Sequence, residues 1–350
     1  MKKILAMLLA LVMVLSLAAC ASTAPTTDTT AASDTETPAA ETPVSETPVS
    51  TEKPSAAEGK TYTVGVCQLV QHEALDAATQ GFVDALTEEL GGAVTIDVQN
   101  ASGDSVNCGT IVNGFVSRGV DLIMANATPA LTAAVSATAD IPILGTSITA
   151  YGVALDLDDF NGTVGGNVSG TSDLADLQKQ AQMILDWFPE TKNVGLLFCS
   201  AEPNSRYQID EVRKALEAQG VTCEEFAFTD SNDVSSVTQK AADFSDVVYI
   251  PTDNTAASNT EAIANVLIPA DVPAICGEEG ICRGCGVATL SISYYDLGVT
   301  TGKMAAKILK GEADISEMPV EYTDATPKYN ASICDQLGIT PLDGYEAIEG

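Results

Sequence analysis

The sequence predicts an α/β fold: two similar, doubly wound parallel-sheet lobes. Three observations predict it. Short apolar strands alternate with segments of helical periodicity from about residue 60 to residue 350. The same order of elements returns about 125–131 residues further along. Polar loops follow the strands, where ligands of open parallel sheets bind.

Tyr62-Thr63-Val64-Gly65-Val66 is the first strand, and Leu75, Ala78, Phe82, Leu86 and Leu90 have the spacing of one helix face. Val94–Val98 is a second strand, 105–118 a helix, and Val120–Met124 a buried strand. Thr128-Pro129 offers an N-cap and a first-turn proline to the next helix. Ile141–Leu144 closes the first series. In the second, Val194–Phe198 matches strand one, and Ile209, Val212 and Leu216 form a helical stripe. Val221–Phe228 and a helix over 233–243 follow. Asp246–Ile250 then parallels Asp121–Met124, and Val272–Ile275 parallels Ile141–Ile143.

The chain has 350 residues, with 48 acidic side chains, 16 basic ones and one histidine, for a net charge of −32. Lys and Arg are too scarce to neutralise phosphates, which argues against nucleic acid. They are equally too scarce for a basic patch on an anionic membrane. One histidine argues against a multi-His metal site and against His-based catalysis. The sequence is read as non-enzymatic, with no cofactor and no metal.

The N-terminus supplies an address. Lys2 and Lys3 precede an apolar run, Ile4–Ala19, that is shorter than the about 20 residues of a membrane span. It ends in Leu17-Ala18-Ala19-Cys20, which resembles the lipobox of bacterial lipoproteins. Residues 1–19 are therefore read as a signal peptide and Cys20 as the lipidated residue. Residues 20–59 read as an extended tether rich in Thr, Ala, Ser, Pro and Glu, with Thr-Pro pairs at 37–38, 42–43 and 47–48. The expected location is the extracytoplasmic face of the cell membrane, held by the lipid alone.

The loops after the strands carry the candidate binding residues. In the first lobe they are Gln68, Gln71 and His72, then Ala127 and Thr128, then Thr146 and Ser147. In the second they are Ser200, Glu202 and Asn204, then Asp253 and Asn254, then Glu278. The first set is neutral, with helix N-termini that suit a carboxylate. The second is acidic and, with Glu279, suits an ammonium. Together they fit a zwitterion.

QLVQHEALD at 68–76, ANATPA at 125–130, EPNS at 202–205, PTDNTAAS at 251–258 and ATLSISYYDLG at 288–298 resemble the substrate-binding lipoproteins of ABC transporters. The group includes binders of tryptophan and other aromatic amino acids. The resemblance spans about 60–345 and implies a type I periplasmic-binding-protein fold with a three-segment hinge. It also implies delivery of solute to a membrane permease and its ATPase, by what is expected to be a monomer. In that fold lobe 1 comprises 60–170 and 294–322, and lobe 2 comprises 171–287 and 323–350. The crossings lie near 170–173, 288–293 and 320–328, the helix 295–309 returns to lobe 1, and a last helix covers about 330–337.

His72 is read as a ligand contact or cleft-lip residue, with a surface role as the alternative. Of Tyr294 and Tyr295, one is expected in the core and the other at the cleft. Eight cysteines follow Cys20. Cys67 and Cys199 fit buried thiols, and Cys282 with Cys285 fits a local disulfide ahead of a reduced pair or a metal site. The leading function is capture of a small zwitterion, an aromatic amino acid such as Trp, Tyr or Phe. The alternatives are a nucleoside or sugar ligand, a sensing or protein-interaction lipoprotein, and, disfavoured for want of a nucleophile motif, a hydrolase.

Overall fold

The computed structural model describes residues 60–348. The segments read as signal peptide, lipidated Cys20 and tether lie outside the described residues. Among those described, no helix is long and apolar enough to cross a membrane.

The first sheet is built from β1 (Tyr62–Gln68), β2 (Val94–Asn100), β3 (Leu122–Asn126), β4 (Ile143–Thr146) and β5 (Val168–Ser172). Its helices are α1 (Glu73–Leu90), α2 (Ser105–Arg118), α3 (Thr128–Ala137) and the single turn α4 (Tyr151–Ala154). The second sheet is built from β6 (Asn193–Cys199), β7 (Thr222–Phe228), β8 (Val247–Ile250), β9 (Ala274–Cys276) and β10 (Ala288–Ser291). Between its strands run α6 (Pro203–Glu217), α7 (Val234–Phe244), α8 (Asn254–Ala257), α9 (Thr260–Leu267) and α10 (Glu279–Cys285), after α5 (Leu177–Trp187) has led the chain in. Then come α11 (Tyr294–Lys310), β11 (Glu321–Tyr322), β12 (Thr326–Tyr329), α12 (Ala331–Gln336) and β13 (Glu346–Ala347).

The strand orders are β11-β5-β4-β3-β1-β2 and β13-β12-β10-β9-β8-β6-β7. Both contain the same doubly wound order, with the second strand of each series at the edge and the first beside the third. Every pairing is parallel except β10 with β12. The sequence repeat is thus a structural duplication. Each sheet is covered on both faces. Phe115, Leu131 and Ile143 belong to one apolar cluster of the first lobe, and Phe82, Met124 and Met304 to the other. Phe198, Ile209 and Tyr249 do the same on one face of the second sheet, and Phe228, Ile250 and Ile263 on its other face.

Two strands depart from the simple alternation. The crossings expected near 170–173 and 288–293 overlap β5 and β10, which are fully buried strands. Their hydroxyls make burial possible. Ser169 Oγ donates to the Met318 carbonyl at 3.0 Å, Thr171 and Thr301 share a hydrogen bond at 2.9 Å, and Ser172 Oγ donates to the Thr149 carbonyl at 3.1 Å. The chain therefore leaves the first sheet at Asp173, returns to it at 292–293 and passes back at 323–325, the short links between strands or helices of different sheets.

A second correction concerns Thr128. The N-cap of α3 is Ala127, at φ 89°, with no side-chain cap bond, and Thr128 is the first helical residue. A third concerns the thiols. All eight described cysteines are free, and Cys276, Cys282 and Cys285 pack together in the apolar cluster under α10. Cys285 Sγ donates to the Ile281 carbonyl at 3.3 Å. Burial pushes the Cys282 thiol above its ordinary value, which keeps it protonated and unreactive.

Candidate ligand-binding cleft

The two sheets face each other across a cleft whose walls are drawn together around a cavity of about 10 Å3. His72, Leu75, Ser147 and Thr149 line it from the first lobe. Asn204, Thr252, Asp253, Asn254, Ala257 and Glu278 line it from the second. Asp173, on the first link, and Tyr294, at the start of α11, complete it. The cavity has room for about one water, so a solute enters only when the lobes part.

Each second-lobe acid is already bonded as a helix cap. Glu202 Oε1 accepts from the Thr255 amide at 2.9 Å and its hydroxyl at 2.8 Å, and Oε2 accepts from the Asn254 amide at 3.0 Å and from Nδ2 at 2.7 Å. Asp253 accepts from the Cys199 and Ala256 amides at 2.7 and 2.8 Å. Glu278 accepts from the Gly280 amide at 2.7 Å and from that of Ile281. Burial pushes the Asp253 carboxyl up to about 8, with Glu202 adding to the rise and the two amides opposing it. Burial likewise pushes Glu278 up to about 7.

Three other groups are buried with polar atoms to spare. Ser147 Oγ, Asp173 Oδ1 and Asn204 Oδ1 find no partner among the described residues, although the side chains are only 5%, 3% and 4% exposed. Buried polar atoms in native proteins are almost always partnered, so three in one cavity mark a place for a polar ligand. Asp173 is held by Tyr294, whose hydroxyl donates to Oδ2 at 2.9 Å. Burial pushes the Asp173 carboxyl above its ordinary value, and the Tyr294 bond opposes that rise. Ser147 sits at φ 55°, a left-handed backbone conformation that orients its loop against the cavity.

The lobes also touch directly. His72 Nε2 lies 3.2 Å from Asn254 Oδ1. Asn254 Nδ2 already donates to Glu202, so Oδ1 is the acceptor and His72 carries its proton on Nε2. Burial pushes the His72 pKa below its ordinary value, against the opposing pull of Asn254 and Glu202. Beside it Glu73 pairs with Arg283, which also meets Glu279 at 2.8 Å.

Of the sequence candidates, His72, Ser147, Asn204, Asp253, Asn254 and Glu278 line the cavity. The other seven do not. Gln68 is consumed within its lobe, donating to Asp76 at 2.6 Å and to the Val70 carbonyl at 2.8 Å and accepting from Thr79 at 2.6 Å. Gln71 is exposed. Ala127 and Thr128 are buried at the head of α3, and Thr146 shares a hydrogen bond with Thr171 at 3.1 Å. Ser200 donates to the Phe228 carbonyl at 3.1 Å. Glu202 borders a separate inter-lobe groove that shares Asn254 with the cavity. Leu75, Thr149, Asp173, Thr252 and Ala257 also line the cavity and were not among the candidates. Asp173 stood in a segment read as hinge, and the first residues of a link are where both lobes come within reach. Of the tyrosine pair, Tyr294 is both buried and at the cavity, whereas Tyr295 is 43% exposed and donates to Asp84 at 3.0 Å.

Residues 63–344 match the model of the family described as ABC transporter substrate binding protein. A tyrosine-binding protein of Clostridioides difficile (strain R20291) is 33% identical over 273 residues, covering 76% of this chain and 78% of its own. An ABC domain from Streptococcus pneumoniae in complex with L-Trp superposes with a TM-score of 0.78 at 32% identity, covering 83% of this chain and all of that one. The ligand-free, open structure of a substrate-binding protein with adhesive properties from Clostridium difficile gives a TM-score of 0.63 at 34% identity, covering 83% of this chain and 99% of that one. At nearly equal identity, the fit is closer to the ligand-bound neighbour than to the open one. The fold is that of type I periplasmic binding proteins, and the chain belongs to the ABC-transporter substrate-binding protein family.

Proposed function

We propose that the protein is the extracytoplasmic solute-binding lipoprotein of an ABC importer. It captures a small zwitterionic amino acid between its lobes and hands it to a permease driven by an ATPase. An aromatic amino acid (Trp, Tyr or Phe) is the expected ligand. The observation that carries this reading is the convergence of Ser147 Oγ, Asp173 Oδ1 and Asn204 Oδ1, unpartnered and buried, in one cavity lined by both lobes. Asp173 and Asn204 offer acceptors to an ammonium. Ser147 offers a hydroxyl to the carboxylate. Leu75, Ala257 and the Tyr294 ring offer the surface for the side chain. The tyrosine- and tryptophan-binding neighbours support the choice of ligand.

A nucleoside or sugar is the second reading, favoured by a lining that is polar at all positions except Leu75 and Ala257. It is weakened by the presence of only one aromatic residue there, Tyr294. Calorimetry of the full chain with the twenty amino acids, nucleosides and common sugars decides between them. Saturable binding confined to Trp, Tyr or Phe supports the aromatic reading. Binding confined to sugars or nucleosides sinks the zwitterion site but leaves the importer reading intact.

A further inference from the structure

Asp173, Asp253 and Glu278 line the same small cavity, and among the described residues no lysine or arginine lines it. On α10 and β12, Arg283 is committed to Glu73 and Glu279, and Lys328 to Glu279 at 2.7 Å. Several buried anions without a cation are strongly unfavourable, so such groups take up protons instead. Asp253 and Glu278 each hold two backbone amides, which support an anion. Asp173 has the Tyr294 hydroxyl on Oδ2 and no donor to Oδ1.

We infer that the cleft exchanges a proton for its ligand's cation: Asp173 holds a proton while the site is ligand-free and releases it when the ammonium arrives. The inference rests on the amino-acid reading above. In the exchange the Asp173 O–H bond breaks and its electron pair stays on the carboxylate. The proton leaves to water or buffer, and an ammonium N–H donates to Oδ1. Nothing is oxidised or reduced.

The charged groups that line the cavity with Asp173 agree in sign. Glu278, ahead of α10, and Asp253, ahead of α8, line the same cavity, and each adds negative charge as it ionises. Tyr294, on α11, the Thr149 hydroxyl and the Asp173 amide donate neutral hydrogen bonds, which oppose the rise without supplying a charge. His72, ahead of α1, is pushed by burial toward its neutral form and supplies no compensating charge. Burial also pushes Asp173 itself above the ordinary aspartate range. A ligand ammonium is the cation the cavity lacks, and it restores the preference for the ionised carboxylate.

The test is calorimetry of the full chain with L-tryptophan and L-tyrosine, in buffers of different ionisation enthalpy and across pH. The heat should vary with the buffer and report release of up to one proton per ligand. Affinity should weaken by up to about tenfold for each pH unit of acidification below the Asp173 pKa. Asp173→Asn should bind more weakly, with heats that no longer depend on buffer. Infrared difference spectra of the wild type, with and without ligand, give a readout that does not depend on the variant folding. A protonated-carboxyl C=O stretch should be lost on binding and carboxylate bands gained. Binding with buffer-independent heats and no carboxyl change overturns the exchange. Proton release that persists in Asp173→Asn overturns its assignment to Asp173. If no amino acid binds at all, the ligand reading fails and the exchange falls with it.

Discussion

Asn254 shows how much one side chain carries at the cleft. Its backbone and side-chain N–H groups both donate to Glu202, while its oxygen meets His72 of the opposite lobe. Removing it leaves the buried Glu202 with fewer donors and cuts a bond between lobes. Asn254→Ala should therefore cost about 1–3 kcal/mol in urea unfolding, the usual penalty for stranding a buried polar group, and should weaken ligand affinity. Asn254→Asp keeps an acceptor for His72 but sets a second carboxylate against Glu202. Its loss of stability should be larger at neutral pH than at acid pH, because protonating either carboxyl relieves the repulsion. A loss that is flat with pH would sink this account of the relay.

At the scale of elements, the packing of α1 on α11 places the cleft. His72 immediately precedes α1, and Tyr294 begins α11, so the crossing of these helices sets where both side chains stand. The helices come close because glycines face the contact. A methyl group at Gly81 would fall on the Tyr295 carbonyl, at Gly298 on that of Ala78, and at Gly302 on that of Phe82. Gly298→Ala should therefore destabilise by about 1–3 kcal/mol, the cost of overpacking, read as a lower thermal midpoint. Ligand affinity should fall with it, since the displaced helix carries Tyr294. An unchanged midpoint would mean that the helices can part at no cost.

For the whole molecule, the buried acids set the pH dependence of stability. Asp173, Asp253 and Glu278 have folded-state pKa values raised above their ordinary ones, the last two to about 8 and about 7. A raised acid binds more protons folded than unfolded, so its contribution is present below the unfolded value and is lost as pH rises through the folded one. The ligand-free thermal midpoint should therefore fall between about pH 5 and pH 8, in the window those two values define. His72 works in the opposite sense, because its lowered pKa favours the folded form above its ordinary value and loses that advantage on acidification. Ligand should flatten the acidic contribution. A ligand-free midpoint that climbs steadily over this range would contradict it. Closure itself is open to small-angle scattering: ligand should reduce the radius of gyration, and Arg283→Ala, which removes the partner of Glu73 across the cleft, should lessen the reduction at low salt more than at high salt.

The strand–helix alternation and its repeat determined the duplicated α/β architecture, because hydrophobic periodicity is local and survives in one dimension. The same reading brought His72, Ser147, Asn204, Asp253, Asn254 and Glu278 to the cleft, since loops after parallel strands open on one edge of the sheet. Local pattern failed where burial is made possible by partners distant in the chain. Most of 170–173 and 288–293 looks like polar links, yet Thr171 and its β5 neighbour Ser169 are satisfied by residues from other elements, and β5 and β10 lie inside the sheets. Charge misled in the same way. Glu202, Asp253 and Glu278 have the composition of an ammonium site, but their oxygens accept from the first amides of α8 and α10. The free acceptor is Asp173, which sequence placed only in a hinge. Whether a carboxylate is consumed or left available depends on which donors the folded chain brings within 3 Å of it, and that is a property of three dimensions alone.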